Sequence, residues 1–247
     1  MKTYFATVAW LAISLTACSK PGKEKEDDPG TVQSGYLKGT VKDSKGNALP
    51  NITVLARNTL YYNSYKAGVS DANGNYKIAL PNGTYTAWAD FNVTYNGKTY
   101  QVELHPDNDS PFSQEGAVVN FQWKLTGKLP GQNAPSYGGT VIVDKSLNSQ
   151  VYDTENIEFT LTPQGPLIDG STGSTIKIKS GQPQTSEYGK LTDIPIGRYK
   201  ISAVYNNQAM NLRNSSLNNS PFTTELILDF EPTTLWGDNM AFIQYEE

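Results

Sequence analysis

The sequence has very few of the residues on which most catalytic and metal chemistry depends. Its 247 residues include one cysteine and one histidine, which excludes a disulfide framework, a zinc cluster and a Cys/His nucleophile pair. Basic residues do not predominate, since 20 Lys and Arg face 24 Asp and Glu, and a phosphate backbone requires a basic excess. We therefore expect a protein that is not an enzyme, with no cofactor, no metal site and no nucleic-acid partner.

The N-terminus has the three parts of a secretion signal. A short charged region, Met1–Tyr4, is followed by an apolar run from Phe5 to Leu15, which is too short to span a membrane. The segment Leu15-Thr16-Ala17-Cys18 resembles the lipobox of bacterial lipoproteins, in which the cysteine is diacylated and becomes the mature N-terminus. The resemblance implies that residues 1–17 are a signal peptide and that Cys18 anchors the protein in a membrane.

Residues 18–34 are expected to form a flexible tether. The stretch Ser19–Gly30 contains no apolar residue and cannot offset its own ordering entropy. Within it, Lys25-Glu26-Asp27-Asp28 is similar to the surface-export signal of Bacteroidetes-type lipoproteins, although a solvated spacer of mixed charge has the same composition. We predict an outer-membrane lipoprotein displayed at the cell surface.

From Tyr36 onward the pattern predicts an all-β body. Short alternating runs are bounded by Gly, Asn, Asp and Pro, and no window keeps the apolar spacing of an amphipathic helix. Turn sequences such as Asn73-Gly74 accept the positive φ of a tight hairpin. We expect strands and turns throughout.

The body also contains an internal repeat. The matching landmarks are Gly39-Thr40-Val41 and Gly139-Thr140-Val141, Tyr95-Asn96 and Tyr205-Asn206, Ser110-Pro111-Phe112 and Ser220-Pro221-Phe222, and the strands through Asn120-Phe121 and Asp229-Phe230. The Pro/Gly/Asn-rich segment 128–136 is typical of a linker. We predict two tandem immunoglobulin/transthyretin-like β-sandwich domains, at residues 35–127 and 137–247, of which the second is a diverged copy.

The turn motifs of the first domain point to a family. In order, Gly46–Val54, Ser70–Tyr76 and Pro81–Tyr85 resemble those of the carboxypeptidase regulatory-like domain. The resemblance implies a transthyretin-like, seven-stranded sandwich of the carbohydrate-binding-like folds. A lipoprotein with tandem domains of this kind also resembles the accessory lipoproteins of starch-utilisation-type transporters, which implies polysaccharide and outer-membrane transporter proteins as partners.

Two candidate metal-binding patterns have simpler interpretations. Asp71, Asn73 and Asn75 have the opening spacing of a calcium loop, but the twelfth position, which requires a bidentate Glu, is Asn82. A hairpin turn with Asx hydrogen bonds is the better interpretation. The single histidine, His105, precedes a Pro-Asp turn and lacks companion ligands in register, so we expect it at a strand end.

Exposed aromatics are the candidate ligand-binding residues. Alternation from Gly83 places Tyr85, Ala87, Ala89 and Phe91 in the core and Trp88 outward beside Asp90. Tyr61, Tyr62 and Tyr65 crowd one strand connection. Such rings beside polar groups stack on sugars. In two alternatives, Trp88 covers a neighbouring strand or packs between the domains.

The sequence thus leaves three functions in competition. The leading hypothesis is a non-enzymatic surface lipoprotein that binds a glycan or supports an outer-membrane polysaccharide uptake system. The alternative is a structural or adhesive protein-protein interaction module without a small ligand. A hydrolase is kept as a third hypothesis only because pairs of carboxylates are always available among 24 acidic residues.

Replacement of the proposed lipidated cysteine tests the localisation. We expect Cys18→Ala to abolish both fatty-acid labelling and membrane retention, since one residue carries the anchor. Metabolic labelling with radioactive palmitate and membrane fractionation measure both effects. A Cys18→Ala protein that is still acylated and sediments with membranes would contradict the lipobox interpretation.

Overall fold

The protein folds almost entirely into β-strands, as its alternating sequence predicts. The computed structural model describes residues 28–131, 134–217 and 219–247. Within these residues there are 19 strands and one short 3₁₀ helix, Thr154–Asn156. The predicted signal peptide, Cys18 and most of the predicted tether lie outside the described residues.

The first ten strands form a first module with two sheets. Their bounds are β1 Tyr36–Lys42, β2 Thr53–Asn58, β3 Tyr65–Val69, β4 Asn75–Ala79, β5 Thr84–Tyr95, β6 Lys98–Glu103, β7 His105–Pro106, β8 Phe112–Ser113, β9 Ala117–Val118 and β10 Phe121–Gln122. One sheet has the order β4-β1-β10-β7, with β9 alongside β1. The other, which we call the front sheet, has the order β3-β2-β5-β6, with β8 alongside β5.

Alternation along β5 sorts its side chains between the two faces of the front sheet. Tyr85 and Ala89 are almost fully buried, and the half-buried Ala87 and Phe91 pack against the same core. This confirms the predicted inner face of the strand. The intervening residues, Trp88 among them, belong to the outer face because successive side chains of a strand point in opposite directions.

The second module contains the remaining nine strands. They are β11 Gly139–Lys145, β12 Glu158–Pro163, β13 Ile176–Ile178, β14 Lys190–Ile194, β15 Tyr199–Tyr205, β16 Gln208–Asn214, β17 Leu226–Leu228, β18 Glu231–Thr234 and β19 Gly237–Glu246. Strand β16 pairs with β15 through Met210 and with β19 through Leu212. It therefore passes from one layer to the other, and the sheet order runs continuously as β13-β12-β15-β16-β19-β11-β14.

The internal repeat is real at the level of topology. In the first module β1 pairs antiparallel with β4 and parallel with β10. In the second, β11 pairs antiparallel with β14 and parallel with β19. The repeated glycines stand where the chain at the last strand approaches closely: a Cβ on Gly39 would lie 1.9 Å from the carbonyl oxygen of Val119, two residues before β10, and one on Gly139 would lie 2.9 Å from the carbonyl oxygen of Asn239 in β19. The predicted fold class, tandem all-β sandwiches, is confirmed.

One pair of sequence landmarks was matched wrongly. The strand through Asn120-Phe121 was expected to correspond to Asp229-Phe230, but β10 is matched by β19, because Val141 pairs with Ala241 as Val41 pairs with Phe121. The second module inserts strand β18 before its last strand, and this additional hairpin displaces the equivalent residues along the chain.

Side chains of the first module bind the backbone of the second. The Tyr95 hydroxyl donates to the Pro166 carbonyl at 2.8 Å and accepts from the Arg198 N–H at 3.0 Å. The hydroxyl of the buried Tyr100 donates to the Phe230 carbonyl at 2.8 Å. We call these contacts the junction. They tie the two modules together.

The segment between the modules is also fixed at its ends. Lys128 and Ser136 form an antiparallel bridge. The Asp193 carboxylate accepts from the Gly127 N–H at 2.9 Å and from the Gly138 N–H at 3.4 Å. Asp193 therefore clamps both ends of the predicted linker against the second module.

Removal of this clamp should expose the linker to proteases. In Asp193→Gly the acceptors are lost while the positive φ of 61° at this position is retained without strain. Because hydrogen bonds to a charged group contribute about 1.5 kcal/mol or more, we expect roughly tenfold faster cleavage within residues 128–136. Limited proteolysis with mass spectrometry measures the rate.

Asp193→Asn is the matched control, since Asn tolerates positive φ and keeps one side-chain acceptor. It should be cleaved at a rate close to that of wild type. Equal cleavage rates for Asp193→Gly and wild type would show that the clamp does not restrain the linker.

Candidate functional site

Trp88 lies half-buried on the outer face of the front sheet. The guanidinium carbon of Arg57, on the neighbouring strand β2, lies 3.6 Å from the centre of the indole ring, a cation-π contact. The indole also lies beside the Glu103 carboxylate on β6 and acts to lower its pKa. Arg57 therefore covers one ring face and Glu103 lies next to the ring, as in the alternative in which Trp88 packs over neighbouring strands.

The acidic groups beside Trp88 are also occupied by neighbours. Burial raises the pKa of Glu103, and the carboxylate of Asp90 raises it further, while Trp88 and Arg57 act to lower it. Asp90 accepts a hydrogen bond from the Gln101 side chain. These contacts form a polar layer that crosses strands β2, β5 and β6.

The three predicted tyrosines lie at the edge of the same sheet. Tyr65 is 52% exposed and pairs directly with Arg57, so it shares the outer face with Trp88. Tyr61 and Tyr62 are 69% and 101% exposed in the connection before β3. The Asn58 side chain holds this connection by accepting from the Tyr61 N–H at 3.0 Å. The structure thus brings Trp88, Asp90 and Tyr65 onto one face, with Tyr61 and Tyr62 beyond its end.

A groove between the modules was missed by sequence reasoning. It has a volume of about 660 Å³ and is lined by β6, by both ends of the linker, by β14 and by the turn between β18 and β19. Its aromatic residues include Trp123, which is buried and meets Phe91 edge to face, and Trp236, which is 79% exposed. The sequence did contain one signal for this groove. Leu235 and Trp236 are adjacent large apolar residues in a hairpin turn, where Gly, Asn, Asp, Pro and Ser are the usual residues.

The candidate calcium loop is a turn. The Asp71 carboxylate accepts from the N–H groups of Asn73 and Asn75 at 2.8 and 2.9 Å, and Gly74 has a φ of 76°. Asp43 makes the same two types of hydrogen bond in the preceding turn. The Asx-turn interpretation is confirmed.

The single histidine is paired with a tyrosine. One ring nitrogen of His105 lies 2.9 Å from the Tyr137 hydroxyl. Burial lowers the pKa of His105, and Lys124 lowers it further, while Asp107 and Asp109 oppose the shift. His105 begins the two-residue strand β7, so its expected place at a strand end is close to the observed one.

Among the residues that the structure describes, no three or more His, Cys, Asp or Glu side chains are grouped so that they could hold a metal ion. No helix in the same residues is long and apolar enough to cross a membrane.

Residues 36–113 match the family model of the carboxypeptidase regulatory-like domain. The match confirms the resemblance found in the first module and covers less than a third of the chain. It ends at β8, so β9 and β10, which complete the sheet around β1, lie beyond it. No curated protein matches the chain significantly.

Several solved structures are distantly similar. The Bacillus anthracis TIE protein is 17% identical over 86% of this chain and 34% of its own, with a TM-score of 0.31; the chain spans about a third of its length. A C-terminal fragment of the pilus adhesin SpaC from Lactobacillus rhamnosus GG is 14% identical, covering 86% and 96%, with a TM-score of 0.26. The major pilin subunit BcpA of Bacillus cereus is 9% identical, covering 86% and 99%, with a TM-score of 0.23. Similarities this distant carry no argument about function.

Loss of the Trp88 ring should destabilise the first module. Because the indole is half-buried under Arg57, we expect Trp88→Ala to lower the free energy of unfolding by about 2 kcal/mol, below the ~3–5 kcal/mol of a fully buried aromatic. Chemical denaturation measures the change. Tyr62→Ala is the control and should change stability by less than about 0.5 kcal/mol, because its side chain is fully exposed. Unchanged stability in Trp88→Ala would show that the ring contributes no packing.

Proposed function

We propose that the protein is a non-catalytic, cell-surface lipoprotein whose two β-sandwich modules bind a glycan as an accessory of a polysaccharide uptake system. The proposal combines the N-terminal sequence, which supplies the anchor, with the aromatic surface of the folded body. The outer-membrane location and transporter proteins as partners rest on the sequence resemblance.

The observation that carries the proposal is a set of aromatic side chains that the fold leaves exposed. Tyr61, Tyr62, Tyr65 and Trp236 are each more than half exposed. Exposed rings cost hydrophobic free energy and mark interaction surfaces when they recur. Aromatic faces flanked by amides and carboxylates suit sugars, whose rings have an apolar face and a hydroxyl rim.

A non-catalytic role agrees with the chemistry of the described residues. His105 is half-buried, and one of its ring nitrogens is paired with the Tyr137 hydroxyl. The Asp90 and Glu103 carboxylates are both engaged by neighbouring side chains. The two residues are direct partners on the adjacent strands β5 and β6, whereas glycoside hydrolysis uses a pair of carboxylates on either side of the scissile bond.

The alternative is a structural or adhesive module, and the junction favours it. Tyr95, Lys98 and Tyr100 fix the first module to the second through hydrogen bonds and a Lys98–Glu231 ion pair of 2.8 Å. A stiff two-module body is what a spacer requires. A spacer, however, gives no reason for a groove lined by tryptophan.

Binding to a panel of polysaccharides tests the proposal. The mature chain is run in native gels that contain soluble starch, xyloglucan, galactomannan, laminarin or polygalacturonate, and a hit is quantified by calorimetry. We expect retardation by at least one polysaccharide with micromolar to millimolar affinity, corresponding to about 4–8 kcal/mol. No retardation by any member, with bovine serum albumin as the mobility control, would favour the structural alternative.

A further inference from the structure

We propose that the groove between the modules is the principal glycan-binding site, that Trp236 is its stacking residue, and that its ligand is an uncharged oligosaccharide. This inference rests on the proposed function and adds a site that lies outside the residues predicted from sequence. It assigns binding to the junction instead of the outer face of the front sheet.

The groove lies where ligand sites commonly form. Clefts between domains can enclose a ligand from two sides, and a volume of about 660 Å³ is within the usual range of ~300–1,000 Å³. One wall is β6 of the first module and the opposite wall belongs to the second module. The Tyr100–Phe230 hydrogen bond joins these walls at one end, so the groove has a fixed width there.

Trp236 is presented by an ordered turn. The Thr234 hydroxyl donates to the Gly237 carbonyl at 2.7 Å and accepts from the Trp236 N–H at 3.1 Å. At the base of the same hairpin, Glu231 pairs with Lys98 of the first module. The backbone at Trp236 is therefore fixed beside the groove while the residue is 79% exposed, so little backbone ordering entropy is lost when a sugar ring stacks on the indole.

The rings of Trp236 and Trp88 differ in how accessible they are to a ligand. Trp88 has an arginine over its ring. Among the described residues no cation lies over the ring of Trp236, since the cation-π contacts there involve other rings. A sugar can stack on Trp236 without displacing a side chain, whereas on the covered face of Trp88 it must displace Arg57.

The charges of the groove favour a neutral ligand. Its lining contains three lysines, Lys124, Lys128 and Lys190, and three acids, Glu103, Glu187 and Asp238. The balance gives no net attraction for an acidic polymer. Gln101 and Asn239 add amide groups that donate and accept hydrogen bonds, as sugar hydroxyls require.

One acceptor of the lining lacks a partner. The Glu187 Oε2 atom is buried and has no hydrogen-bond partner among the described residues. An unsatisfied buried carboxylate oxygen is unfavourable. A hydroxyl group of a ligand could supply the missing donor, which makes Glu187 a second candidate contact residue.

Paired variants of the mature chain test the site. The probes are the neutral polysaccharides soluble starch, xyloglucan, galactomannan and laminarin, with polygalacturonate as the acidic comparison. We expect Trp236→Ala to weaken binding about five- to tenfold and Trp236→Phe to retain most of it, because stacking depends on the aromatic face. Leu235→Ala is the matched control, since Leu235 is 99% exposed on the same turn and does not line the groove.

The outcomes separate this proposal from the proposed function. Weaker binding in Trp236→Ala and Glu187→Ala, with Leu235→Ala as wild type and unchanged thermal unfolding, supports the groove. Binding that is lost in Trp88→Ala or Tyr65→Ala but equal to wild type in Trp236→Ala overturns the groove and leaves glycan binding intact. Binding only to polygalacturonate overturns the proposal that the ligand is uncharged. A wild-type protein that binds none of the probes overturns both proposals.

Discussion

The Tyr100 hydroxyl projects from an otherwise buried ring of the first module to the Phe230 carbonyl of the second, and the placement of the groove depends on this contact. A single neutral hydrogen bond contributes only about 1 kcal/mol, but Tyr95, Lys98 and Asp193 add independent ties at other points of the same junction. Together they set the distance between the two modules. If the junction relaxed, the wall formed by β6 would move away from the turn that presents Trp236.

The two modules have the same topology but have diverged in what they expose. Both have a glycine in the first strand where the chain at the last strand approaches it closely. Both also have a core tyrosine whose hydroxyl donates to the carbonyl four residues earlier, Tyr85 to Pro81 and Tyr199 to Pro195. Burial raises the pKa of Tyr199 to about 12, with Tyr95 adding to the shift, as expected for a ring enclosed at the junction. The modules differ in what has been added to each: the first carries the tyrosine-rich connection before β3, and the second carries the hairpin with Trp236.

Local patterns predicted the fold well because strand alternation and turn chemistry are properties of neighbouring residues. The inner face of β5 and the Asx turn at Asp71 are encoded within a few positions each. The same reasoning misplaced the final landmark, since Phe230 resembles Phe121 in its local context and only the pairing of Val141 with Ala241 identifies the equivalent strand. The candidate site was predicted only in part. Sequence reasoning found the outward direction of Trp88 but not the arginine that lies over it.

The sequence by itself determined the composition limits, the all-β body and its repeat, because each depends on residue type and local spacing, and the lipobox around Cys18 stays a prediction from the same kind of pattern. Tertiary structure alone decided which aromatic residues are free to meet a ligand. Arg57 lies 31 residues before Trp88 in the sequence and covers its ring only because β2 and β5 are adjacent. The groove is made from segments of both modules, and its shape follows from contacts between residues about 130 positions apart, such as Tyr100 and Phe230. A local sequence pattern cannot predict a contact between residues that are so far apart in the chain.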